Sequence, residues 1–370
     1  MLNILFEQTE YLVYNSTPNM KDKSFIIKGR GSADNPANRF EKIDYVPDND
    51  VAGDERRPPT RFFRDTSKSL ISYNQSPDVG VDAFINPYRG CEHGCAYCYA
   101  RPYHEYLGLS AGLDFETQIF VKESAPKLLR RELSHPKYKP QPIGLSGITD
   151  PYQPAEKHFR LTRGCLEVLA EFRNPVGIIT KNHLVTRDID LLQELARHDA
   201  VAVAVSVTTL DNDLSRKLEP RTSSPQRRLD AIRKLSEAAI PTRVMVAPVV
   251  PGLTDHEMPA ILKAVAEAGA SHATYIMMRL PHGVKELMES WLERHFPDRK
   301  EKVLNRVRDL REGELYKSDY FTRMKGTGVF AEQVAQMFNA TCRKLGLNRE
   351  KLKLSTAHFR RPQGEQMRLF

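Results

Sequence analysis

The chain has 370 residues, 40% of them hydrophobic, and a formal net charge of +8. That is enough for one large α/β domain with an appendage, or for two domains. The mean hydropathy of -0.50 and the lack of any long apolar run exclude a membrane-spanning helix. The first residues, Met1 to Glu10, have no basic start and are interrupted by Glu7. They do not read as an export signal, so a cytoplasmic location is expected. Five cysteines, three of them within eight residues, do not suit the disulfide framework of a small secreted protein. The positive charge favours a polyanionic partner, although a basic surface kept for solubility accounts for it equally well.

Residues 1–80 are polar and rich in turn signals, among them Gly29-Arg-Gly31 and Asn35-Pro-Ala-Asn38. They are expected to form an N-terminal arm with a hairpin near Leu70–Tyr73. From residue 81 the pattern changes. Short β-branched runs at 81–85, 143–148, 176–180, 201–207, 243–250 and 273–278 read as strands buried on both faces. Helical periodicity fills the gaps at 125–133, 162–172, 189–197, 224–238 and 257–268. In the fourth of these, Leu229, Ile232, Arg233 and Leu235 carry the helical spacing, and Ser223 or Ser224 can cap its start. Six strand–helix units in tandem predict an α/β fold, a partial parallel (βα)6 barrel over residues 81–282. Strand order is not readable from sequence, so a doubly wound sheet is the alternative. A C-terminal helical extension is expected over 283–358 and a tail over 359–370.

The chemistry concentrates in Gly90-Cys-Glu-His-Gly-Cys-Ala-Tyr-Cys-Tyr99. Cys91, Cys95 and Cys98 have the spacing C-x3-C-x2-C. Three thiolates can hold three irons of a [4Fe-4S] cube and leave the fourth iron open for a chelating substrate. Gly90 and Gly94 allow the loop to curl. The motif directly follows the first predicted strand, which puts it at the C-terminal rim of a barrel. A structural zinc site with His93 or a distant residue as fourth ligand is the competing reading, although no second cysteine pair is present. Cys165 and Cys342 fall inside predicted helices and read as ordinary buried thiols.

This motif, with aromatic Tyr97 before the third cysteine, resembles the signature of the radical S-adenosylmethionine (SAM) superfamily. The resemblance covers about residues 81–282 and is similar in detail to the spore photoproduct lyase branch, also described as DNA repair photolyase-like. It rests further on Thr149-Asp150, Ile179-Thr-Lys181, Ser206, Glu219-Pro220, Thr222-Ser-Ser224, Arg228-Leu229 and Val246-Ala-Pro248. It implies a [4Fe-4S] cluster on the three cysteines, SAM as cofactor, and a 5′-deoxyadenosyl radical that abstracts hydrogen from a substrate. It implies an electron donor such as flavodoxin or ferredoxin, and nucleic acid as substrate. Tyr97 would lie against the adenine. Thr149, Asp150, Lys181 and Ser206 are the other candidate SAM contacts. Lys181 ends an apolar strand, where its ammonium can meet a carboxylate. Either Asp150 or Glu156 can bind an amine or a ribose hydroxyl, and both are equally compatible with turn roles.

The sequence departs from that branch at one place. Spore photoproduct lyase carries a hydrogen-donating cysteine just before the second-strand Asp, whereas here Ser146-Gly-Ile-Thr149 has none. Tyr97, Tyr99, Tyr103 and Tyr152 are the remaining candidate donors. A radical enzyme acting on a peptide or small molecule, and a non-catalytic metal-stabilised nucleic-acid-binding module, are the rival functions. Arg221, Arg227, Arg228, Arg360 and Arg361 are candidate phosphate contacts. The last five residues, Gln366 to Phe370, resemble the pentapeptide with which bacterial proteins dock on the DNA sliding clamp.

Overall fold

The computed structural model describes residues 27–40 and 58–362. Ten strands occur among them: β1 (Arg61–Arg64), β2 (Ile71–Tyr73), β3 (Ala83–Ile85), β4 (Tyr88–Arg89), β5 (Gln118–Val121), β6 (Ile143–Leu145), β7 (Val176–Thr180), β8 (Val201–Ser206), β9 (Thr242–Val249) and β10 (His272–Met277). The helices are α1 (Leu113–Thr117), α2 (Ala125–Ser134), α3 (Glu156–Phe159), α4 (Leu161–Phe172), α5 (Ile189–Ala196), α6 (Asn212–Leu218), α7 (Pro225–Glu237), α8 (Met258–Glu267), α9 (Val284–His295), α10 (Lys300–Asp309) and α11 (Gly328–Leu345).

The main sheet has the order β10-β9-β8-β7-β6-β3-β2. Six strands run parallel, and β2 pairs antiparallel with β3 at one edge. Each of the six predicted strands is present, and they follow one another across the sheet in chain order. That order rules out the doubly wound alternative, whose strand order reverses near its middle. The sheet ends at β10 and β2, as a partial barrel does. The hairpin expected near Leu70–Tyr73 is β2 folding back on β3, with Ile71 opposite Ile85. A smaller sheet of order β1-β5-β4 stands beside it.

Burial explains the near-continuous apolar runs. All six residues of β8 are buried, because helices cover the sheet on one side and the barrel interior fills the other. The periodic face of α7 differs from the sequence reading. Pro225, Arg228, Ala231, Ile232 and Leu235 point inward, while Arg233 is exposed. The two faces differ by about one residue, and a buried charge moved the pattern. Helices α9 and α10 pack a second core, around Trp291, Leu292 and Val303, that includes Cys95, Ala96 and Tyr97. Helix α11 packs on α8. No helix among the described residues is long and apolar enough to cross a membrane.

Ile178, wholly buried in central β7, is a direct probe of this core. Ile178→Ala is expected to cost about 2–5 kcal/mol through lost burial and a residual cavity. A urea titration should show the lowered midpoint.

Candidate active site

The loop from Gly90 to Tyr99 leaves the sheet just beyond β3 and β4. Gly90 and Gly94 take left-handed backbone conformations, with φ of 77° and 64°. A Cβ at Gly94 would come within 2.5 Å of Glu116 Oε2, so the glycine is required by space as well as by φ.

Several of the loop's backbone groups are bonded from outside it. Cys91 N–H donates to Phe115 O at 2.8 Å, and Ala96 N–H to Leu218 O at 3.0 Å. The Gln153 amide bridges Gly90 O at 3.1 Å and Glu92 N at 2.9 Å. The Arg101 guanidinium donates to Cys95 O at 3.0 Å and to the carbonyls of Ala111 and Gly112. None of the three cysteines is in a disulfide. Cys91 and Cys95 are buried and Cys98 is partly buried.

Two buried carboxylates grip this loop. Glu116 pairs with fully buried Arg101 at 2.5 Å. It also accepts the backbone N–H groups of Gly31 at 3.1 Å and Ser32 at 2.8 Å. Residues 27–40 therefore belong to the site. A Cβ on Gly31 would lie 1.7 Å from Gly94 O, so the two backbones are in direct contact. Asp34 extends the clasp to α9 by pairing with Arg294 at 3.2 Å.

Glu219 is the second carboxylate. It accepts from the Tyr97 hydroxyl, from Thr208 Oγ1 at 2.8 Å and from the Arg228 guanidinium, and it lies 3.4 Å from Lys181 Nζ. Burial alone would raise its pKa. Arg228, Lys181 and the two hydroxyl donors outweigh burial and hold it down at about 2.

The sequence-predicted residues meet around this second carboxylate. The Lys181 ammonium donates to Ala247 O at 2.9 Å and stands 5.8 Å from the Tyr97 ring centroid. Asp150 accepts from Lys181 N and from Thr180 Oγ1, both at 2.7 Å, and from Tyr152 N at 2.9 Å. Burial raises the Asp150 pKa, but His93 and these donors overcome it and leave the carboxyl below its ordinary range. Buried Ser206 offers its carbonyl to Arg228 at 3.2 Å. Thr149 stands apart from this group, its hydroxyl 3.5 Å from Tyr88 O. Glu156 is buried on Tyr88, Arg187 and the N–H of Thr162, which makes it a structural residue. Tyr152 is fully buried, whereas Tyr99 and Tyr103 are exposed.

Arg228 is corrected as a phosphate contact, since it is buried on Glu219 and Ser206. Arg221 is half-buried and pairs with Glu92 at 3.0 Å. Arg360 and Arg361 bond to backbone carbonyls of Glu171 and Tyr138. Sequence reasoning missed Glu116, Arg101, Thr208 and the hub role of Glu219. The available signal was Arg228 itself, which stands four residues before Ile232 and seven before Leu235 on the inward face of α7.

The residues present fit an iron–sulfur cube. Three soft donors share one loop, close enough to act on one another electrostatically. Burial pushes all three thiols up, a cost that iron removes by replacing the protons. Both His93 nitrogens have protein partners, Asp150 at 3.4 Å and Asn182 at 3.1 Å. Among the described residues no three His, Cys, Asp or Glu side chains are arranged around a single ion. A cube spreads its thiolates over separate irons and needs no such convergence.

Comparison with known proteins agrees with this geometry. Residues 85–265 match the model of the radical SAM superfamily. The uncharacterized protein Rv2578c of Mycobacterium tuberculosis is 39% identical over 242 residues, 64% of this chain and 70% of that one. The Radical SAM Nalpha-GlyT isomerase of Pseudomonas phage M6 is 27% identical over 237 residues, 63% of this chain and 46% of that one. Spore photoproduct lyase complexed with dinucleoside spore photoproduct superposes with a TM-score of 0.56 at 16% identity, over 78% of this chain and 81% of that one. A variant of that lyase has been solved with bound AdoMet as well. The chain belongs to the radical SAM superfamily. It is a radical SAM enzyme, and the superfamily's cofactors are a [4Fe-4S] cluster and SAM.

Two substitutions test the clasp. Gly31→Ala forces the arm off Gly94 and is expected to lower iron retained per chain, whereas Gly177→Ala, which has open space at its Cβ, should leave it unchanged. Glu219→Gln leaves the buried Arg228 charge uncompensated and is expected to cost about 3–5 kcal/mol at neutral pH. Because the folded pKa of Glu219 is depressed, its contribution is present above the ordinary carboxylate range and is lost as pH falls toward about 2. In the iron-free chain, the stability gap between wild type and Glu219→Gln should therefore narrow on acidification.

Proposed function

We propose that this enzyme acts on nucleic acid, with the cluster on Cys91, Cys95 and Cys98 and SAM contacted by Tyr97, Thr149, Asp150, Lys181 and Ser206. The observation that carries the site assignment is the set of three unbridged thiols, two buried and one partly buried, on one loop held by bonds from outside it. The nucleic-acid assignment draws its support from the net charge of +8 and from fold likeness to a lyase bound to a dinucleoside photoproduct.

When bound, the cluster and SAM supply reductive cleavage of the sulfonium and the 5′-deoxyadenosyl radical. The protein's residues orient and exclude. Tyr97, within the cysteine loop, is fixed by its hydroxyl bond to Glu219 and offers its ring to the adenine. Lys181 provides a cation for the carboxylate of SAM, its position set by Ala247 O and by Asp150 on its backbone. Its charge is shared with Glu219, which limits what one more carboxylate gains from it. The Ser206 hydroxyl is a contact for the methionyl group. Thr149, in the loop after β6, is the remaining proposed contact. The α9–α10 core and residues 27–40 cover the loop and keep water from it.

The wider reading places the enzyme in the cytoplasm, reduced by a flavodoxin or ferredoxin. The clamp-docking motif Gln366–Phe370 lies outside the described residues, and it would deliver the enzyme to DNA.

Anaerobic preparation is expected to give about four irons per chain. The reduced protein should convert SAM to methionine and 5′-deoxyadenosine. Each of Cys91→Ala, Cys95→Ala and Cys98→Ala should abolish both results, while Cys165→Ala and Cys342→Ala should alter neither. Lys181→Ala should weaken SAM binding by about 1.5–3 kcal/mol. Stoichiometric zinc without charge-transfer absorption would sink the reading. Retention of single-stranded DNA or RNA should fall steeply with salt, and absence of retention at low salt would remove nucleic acid as substrate. A peptide of the last ten residues should bind a bacterial sliding clamp and lose binding when Leu369 and Phe370 become Ala.

A further inference from the structure

A cavity of about 290 Å³ opens beside the cysteine loop, at the β2 edge of the sheet. It is bounded by Gly90, the residue before Cys91, and by Phe115, which packs with Cys91. Asn86 and Ile148, just beyond the C-terminal ends of β3 and β6, complete its wall toward the barrel.

Two cations line it. Arg89 is neutralised by Asp65 at 2.7 Å and bonds Ser67 at 3.0 Å. Lys122 is different. Among the described residues its ammonium has no hydrogen-bond or ion-pair partner, and Asp65 acts on it only through space. The cavity therefore holds one cation without a direct partner, together with Ser67, Ser69 and Ser72.

Aromatic rings stand at its mouth. Tyr103 and Tyr106 line it and are 51% and 68% exposed. Phe40, 55% exposed, stacks on Tyr106 with centroids 4.8 Å apart. Tyr103 and Tyr106 are 6.3 Å apart. Three neighbouring exposed rings above a cationic cavity match a ligand with one flat face and one anionic group.

We infer that this cavity is the substrate subsite for a single nucleotide drawn out of its strand, with the phosphate at Lys122 and the base on Tyr106 and Tyr103. The inference rests on the nucleic-acid reading above and gives it a place. A base removed from its stack needs a new π-face, and the exposed tyrosines supply one. The phosphate supplies the counter-charge that Lys122 lacks. Contact of the cavity wall with Gly90 and Phe115 puts such a nucleotide beside the loop that carries the thiols.

The test uses the full-length, iron-loaded protein and calorimetric titration with thymidine 5′-monophosphate, thymidine and inorganic phosphate. Wild type is expected to bind the mononucleotide more tightly than either fragment. Lys122→Gln should weaken mononucleotide and phosphate about tenfold, and Tyr106→Ala should weaken mononucleotide and thymidine about tenfold while leaving phosphate unchanged. Unchanged iron content shows that a variant has folded. Tyr106 is exposed, so that variant carries the test even if Lys122→Gln does not fold. Mononucleotide binding that is absent from wild type, or equal in wild type and Tyr106→Ala, overturns the subsite. Phosphate bound as tightly as the mononucleotide overturns the nucleotide assignment. Retention of a single-stranded oligonucleotide separates the two claims. If the oligonucleotide is retained equally by wild type and variants, the subsite falls and the nucleic-acid reading stands. If the expected mononucleotide pattern appears without oligonucleotide retention, the cavity is a free-mononucleotide site, and both the drawn-out nucleotide and the nucleic-acid reading fall.

Discussion

The loop that carries the three thiols is held in place while its thiols stay free, and two buried carboxylates meet that constraint. Glu116 ties the loop to Arg101 and to the backbone of Gly31 and Ser32. Glu219 ties Tyr97 to Arg228, Thr208 and Lys181. Each carboxylate is desolvated, and each is met by a cation plus further donors, the condition under which a buried charge is tolerated. With these partners in place, no disulfide is needed to hold the loop.

The same two groups connect sequence regions that are far apart. Glu116 joins residues 27–40 to the segment after the cysteines, and Glu219 joins the end of α6 to α7, β7 and the loop itself. The superfamily match spans residues 85–265. The clasp of residues 27–40 and the α9–α10 core lie outside that span, yet both contact the loop. In this protein the site is built by more of the chain than the matched region.

Much of the fold was legible because parallel strands buried on both faces leave a plain record. Val201 to Ser206 is β-branched or small throughout, and every residue is buried. The three cysteines were legible by spacing alone. The carboxylates were not, because nothing local distinguishes Glu116 or Glu219 from a solvated acid. Their burial depends on partners distant in sequence, Gly31 and Ser32 for one and Tyr97 for the other. Arg228 was misread for a related reason. Arginine is usually exposed, so its place on the inward stripe of α7 was passed over in favour of Arg233. Residues 27–40 look like linker in sequence, since Gly31 shows its purpose only when its missing Cβ is measured against Gly94 O.

The proposed function requires that the loop hold an iron–sulfur cube with one iron left open for SAM. Electron paramagnetic resonance of the anaerobically reduced protein tests it most directly, with spectra taken before and after addition of SAM carrying a nitrogen isotope in its amino group. A reduced [4Fe-4S] signal that changes on addition and shows coupling to the label is expected. A protein that binds zinc and gives no such signal, or a cluster signal indifferent to SAM, would contradict it.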